Sequence, residues 1–109
     1  MAYSSVPYQI QQINFQYREA MRKANHLDEL ANRLSRRVAG EIRNLSQDVR
    51  DQWRGDEANV FSKKNAIIEA EVLKTVKQIR NCAATIRRIA RQTMQKEMEA
   101  AEIAARRAR

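Results

Sequence analysis

The chain has 109 residues, of which two are glycine and one is proline, while 31% are charged and 43% hydrophobic. That length builds one domain at most, and so few turn-forming residues exclude most sheets, barrels and nucleotide-binding α/β folds. A balance of 21 basic to 13 acidic residues, net charge +8, favours acidic partners and says nothing about fold.

Met1 to Tyr8 carries neither a basic n-region nor an apolar h-region, so no cleaved secretory leader is expected there. No apolar run exceeds four residues, against the roughly 20 of a membrane-spanning helix. The periodicity predicts a first helix over about 7–52. Ser4 and Ser5 are placed to cap it, and Pro7 suits its first turn, where the missing N–H is not needed. Apolar or small residues recur at Ile10, Ile13, Tyr17, Ala20, Ala24, Leu27, Ala31, Leu34 and Val38, in steps of three and four. The register then shifts by one residue and continues through Ile42, Leu45, Val49 and Trp53. The mean period therefore rises above 3.5, toward a nearly straight helix. Gly40 lies inside this stretch, at a cost of about 1 kcal/mol relative to alanine. It reads either as a tolerated defect or as a close helix crossing in a dimer, with Ala39 alongside.

A turn is predicted over about 53–56, where Gly55 accepts the left-handed backbone that ends helices and Asp56 is placed to cap the next one. The second helix, about 57–94, has its seam at Phe61, Ile68, Val72, Ile79, Ala83, Ile86 and Ala90, interrupted at Asn65. Val60, Leu73, Val76 and Ile89 widen that stripe, and a basic helical or frayed tail follows over about 95–109. The expected fold is all-α: one antiparallel two-helix hairpin spanning 1–109, about 60 Å long. Such a rod leaves a second flank (Leu30, Val60, Leu73 and Ile89) unburied, so it is expected to pair with a related hairpin into a four-helix-bundle homodimer or heterodimer. The core and dimer seam is assigned to Leu27, Leu34, Val38, Leu45, Ile68, Val72, Ile79 and Ile86.

Trp53-Arg54-Gly55 is a W-x-G tripeptide at the midpoint of two long helical patterns. In that position it resembles the WXG family, the small ESAT-like proteins exported by type VII (ESX-like) secretion systems. The resemblance covers the whole length in architecture but only these residues in motif. It implies a helical hairpin made in the cytoplasm and secreted without a cleaved leader. It also implies that Trp53 and Gly55 form a turn element read by the export ATPase together with a C-terminal signal on a partner. The family's usual signal, a tyrosine three residues before an acidic residue after the second helix, is missing: Tyr3, Tyr8 and Tyr17 are all N-terminal. Glu97, Ala100 and Ala104 match the Gram-positive variant of that signal only loosely. A partner carrying the signal, or an adaptor role toward a larger secreted toxin, is then implied.

Residues 74–109 hold ten Lys or Arg against three Glu, while residues 1–73 hold eleven against ten. Arg80, Arg87, Arg88, Arg91, Arg106, Arg107 and Arg109 are therefore the expected partner-binding basic surface. Part of this excess simply complements the helix dipole, and Glu102 with Arg106 is an ordinary i, i+4 pair. An acidic protein fits such a surface. Nucleic acid is the rival, but no aromatic side chain stands among these arginines to stack on bases, and no helix-turn-helix or basic-zipper layout is present. The segment Met94–Arg109 has too thin an apolar face for a membrane surface. No enzyme, cofactor or metal is expected: His26 and Cys82 are the only His and Cys, with no Gly-rich loop or third orienting group. Cys82 reads as a small buried apolar residue.

Overall fold

The computed structural model describes the backbone of residues 2–53 and 55–108, and the side chains of 6–53 and 55–108. The side chains of Ser4 and Ser5, and all of Arg54 and Arg109, lie outside the described residues. Helix α1 is Ala2–Arg33, followed by a π-helical segment Leu34–Ala39, then α2, Gly40–Gln52, and α3, Asp56–Arg107. The described residues are all-helical apart from the turn and the last residue, and form a long helix pair without strands. No helix among them is long and apolar enough to cross a membrane.

Several boundaries differ from expectation for local reasons. Helix α1 starts at Ala2, not near residue 7, so Ser4 and Ser5 fall inside it instead of capping it. The helix also runs through Pro7, which removes one backbone hydrogen bond from its second turn. At the far end α3 continues to Arg107, so the basic tail is helical throughout this range. Asp56 is not a cap: the Gly55 carbonyl accepts the Asn59 N–H at 3.3 Å, and Asp56 and Glu57 occupy the first turn of α3. There the two carboxylates face the positive end of the helix dipole.

The chain forms two compact units. The terminal unit joins Met1–His26 to Cys82–Arg109, and the turn unit is Leu27–Asn81. In the terminal unit the buried residues are Ile13 and Ala24 on α1, and Ala83 and Ala101 on α3. The first pair is eleven residues apart and the second eighteen, about three and five full turns, so each pair forms one stripe. Asn25 accepts a hydrogen bond from Arg87 at 2.8 Å between these helices.

In the turn unit Ala31, Ala39, Ala58, Asn65 and Val76 are buried. Ala58, Asn65 and Val76 step by seven and eleven, again one stripe of α3. Ala31 and Ala39 step by eight, one more than two helical turns. The π segment between them absorbs that extra residue by widening its hydrogen-bonded ring. The one-residue shift after Val38 is thus taken up at a single place and not spread along a straightened helix. Cross-helix bonds run from Arg80 to Asn32 at 3.0 Å and from Arg43 to Glu69 at 2.6 Å. A Cβ placed on Gly40 would meet nothing within 4 Å, so no close neighbour among the described residues requires this glycine.

Candidate partner-binding surfaces

The turn unit presents the W-x-G element. Trp53 leaves the helical conformation at φ −106°, ψ 139°, and its N–H bonds the Val49 carbonyl at 2.8 Å, closing α2. Gly55 has φ +99°, a region where a side chain is strained, so the reversal favours glycine although the space around it is open. Trp53 remains 52% exposed. Its ring meets Phe61 at 6.2 Å between centroids and 54° between planes, a tilted aromatic contact. Trp53, Val60 and Phe61, edged by Asp56, Glu57 and Lys64, line a shallow concavity of about 400 Å³. The indole therefore contacts Phe61 while about half of the residue stays open to solvent.

The residues assigned to the seam divide. Leu27, Leu34, Val72, Ile79 and Ile86 are half-buried, whereas Val38, Leu45 and Ile68 are exposed. The innermost positions belong largely to alanines, and no large side chain among the described residues is completely covered. The larger apolar groups stand beside this stripe and are only partly sheltered. Asn65, expected to interrupt the seam, is itself buried, and neither its Nδ2 nor the Ser62 Oγ one turn away has a hydrogen-bond partner among the described residues.

The basic residues do not act as one patch. Arg80 is committed to Asn32 and half-buried Arg87 to Asn25, while Arg106 lies 3.6 Å from Glu102. Arg88, Arg91 and Arg107 are exposed, and Arg109 lies outside the described residues. At 100° per residue, Arg88 and Arg106 lie about 200° round α3 from Ile86, and Arg91 about 140°. Arg107 instead shares a stripe with Ile89, five turns away. The acceptors Asn25 and Asn32 are neither charged nor apolar, so neither pattern singles them out. Their signal was the seven-residue step they share with Arg87 and Arg80.

Beside Ile86 lies the second surface, in the terminal unit. Ile13, Tyr17 and Ala20 of α1 and Ile86, Ile89 and Met94 of α3 line an apolar groove of about 280 Å³. Gln16, Ala90, Thr93 and Glu97 complete its lining. Ile89 is 51% exposed there. Cys82 is exposed, contrary to the buried apolar role expected of it. Among the described residues no three His, Cys, Asp or Glu side chains cluster as metal ligands would.

These features define a class, a basic all-helical chain of paired long helices with an exposed aromatic turn. Compared with family models, curated proteins and solved structures, the chain matches none.

Proposed function

We propose that this chain is a small recognition protein of a type VII-like export system, acting as a substrate or as the partner or adaptor of one. The observation that carries the reading is the half-exposed Trp53, held on Phe61 beside a Gly55 with φ +99°. A buried tryptophan would serve packing alone. A fixed and accessible one suits recognition by another protein, where aromatic anchors dominate binding.

In this reading the helix pair is an antiparallel hairpin. Support comes from the turn unit, where bonded positions advance from 32 to 43 on one helix and retreat from 80 to 69 on the other. The hairpin pairs with a second one into a four-helix bundle. That is supported by the large apolar side chains left exposed in the turn unit, among them Leu30, Leu45, Ile67, Ile68 and Leu73. The protein is made in the cytoplasm and leaves the cell through that export system. The export ATPase and a larger secreted toxin are the further partners this implies, and the reaction is recognition without catalysis.

The test compares culture supernatants of cells with and without the type VII ATPase, for the wild type and for Trp53→Ala. Secretion is expected to require the ATPase and to fall about tenfold or more in the variant, a loss of one anchor residue worth about 2 kcal/mol. Circular dichroism should show the helices retained. Undiminished, ATPase-dependent secretion of Trp53→Ala would remove the turn element from the mechanism.

A further inference from the structure

We infer that the groove of the terminal unit receives an acidic amphipathic helix from a different chain, and not a second copy of this one. The inference rests on the recognition reading above and specifies the chemistry of the partner. The lining residues of α3 (Ile86, Ile89, Ala90, Thr93, Met94 and Glu97) follow steps of three and one, so they form one continuous helical face. With Ile13, Tyr17 and Ala20 opposite, they make a trough between two helices. That geometry suits the apolar stripe of a third helix lying in the groove.

Charge decides which helix. The terminal unit contains ten basic residues and four acidic ones, a net +6, whereas the turn unit contains eleven and nine, a net +2. Three quarters of the excess charge of the molecule therefore belongs to the unit that carries the groove. Lys23 lies two turns beyond Gln16, Lys96 two turns beyond Ile89, and Arg107 five turns beyond Ile89, each on a groove-lining stripe. All three are exposed. Glu97 is the one carboxylate in the lining, half-buried among apolar neighbours. A second copy laid in the groove by its terminal unit would set +6 against +6 across an apolar contact. Carboxylates flanking an apolar stripe would instead meet Lys23 and Lys96 beside the groove, in the range of roughly 10 Å over which charges act at ordinary salt.

The probe is a labelled 28-residue peptide of four heptads with Leu at the a and d positions and Glu at the flanking e and g positions. Its control carries Lys in place of each Glu. Fluorescence anisotropy with the full chain at 0.1 M salt should show the Glu peptide binding at least about tenfold more tightly than the Lys peptide, and weakening as salt rises to about 0.5 M. Ile89→Glu should reduce binding of the Glu peptide about tenfold, with Ile89→Gln as the milder companion and helix content checked for both. The Lys23→Glu, Lys96→Glu double variant should narrow the preference between peptides. Equal binding of the two peptides, or indifference to Ile89→Glu, would overturn the inference. So would light scattering that shows a stable homodimer at micromolar concentration which Ile89→Glu dissociates. None of these results bears on Trp53, so the export reading stands or falls separately.

Discussion

The terminal unit and the turn unit are built from the same two long helical segments, yet they differ in what they bury and in what they offer. Among the described residues, the terminal unit buries an isoleucine and three alanines, and sets an apolar groove in strongly basic surroundings. The turn unit buries three alanines, Val76 and the amide of Asn65, with nearly balanced charge, and carries the π segment, the reversal and the accessible indole. Each unit spends its small residues on holding helices together. Each keeps bulk for the outside, where it is available to something else. The difference lies in that availability: one unit offers a trough with a charge preference, the other a single aromatic anchor.

Three experiments break or sharpen this comparison. The largest effect is expected from Ala83→Leu in the terminal unit, since Ala83 is fully covered and a larger side chain forces its helices apart. A loss of about 1–3 kcal/mol should lower the melting temperature by about 5 °C or more, while Ala66→Leu at an exposed site of the turn unit should change it little. An equal response at both sites would mean that the alanine stripe does not set the helix spacing. Next, Asn65→Leu in the turn unit should raise stability by about 1 kcal/mol, because the buried Nδ2 has no partner among the described residues to lose. Denaturant unfolding would measure the gain, and a marked loss would show that the amide is satisfied. Any gain should come with looser pairing, seen as broader amide resonances, if the polar group fixes helix register. Smallest is the Arg43–Glu69 pair, 66% and 22% exposed at the side chains, for which a double-mutant cycle should return about 0.2–1 kcal/mol.

The helical nature of the chain and the break near its midpoint were legible because composition, period and glycine placement all point the same way. Trp53 and Gly55 stand where the tripeptide put them, since a residue at φ +99° leaves few alternatives to glycine. Glu102 and Arg106 meet as their i, i+4 spacing requires. The inner stripe was harder to read. A hydrophobicity pattern weights Leu45 and Ile68 above Ala39 and Ala58, but closely approached helices admit alanine at the contact and turn the longer side chains aside. The π segment was half visible: the register shift after Val38 was plain, but periodicity does not distinguish gradual drift from one inserted residue. In the linear sequence Arg80 and Arg87 look like surface charge because their acceptors, Asn32 and Asn25, lie 48 and 62 residues away. Nothing in a linear pattern ties such distant positions until the helix pairing is known.

The sequence holds one tryptophan and one cysteine, and both side chains are exposed, Trp53 in the turn unit and Cys82 in the terminal unit. Nature has thereby left two independent optical channels in a single polypeptide. Indole emission follows solvent quenching around the reversal, and an environment-sensitive dye on the thiol follows events in the other half. A ligand that perturbs one colour and leaves the other untouched declares its address without any engineered label site.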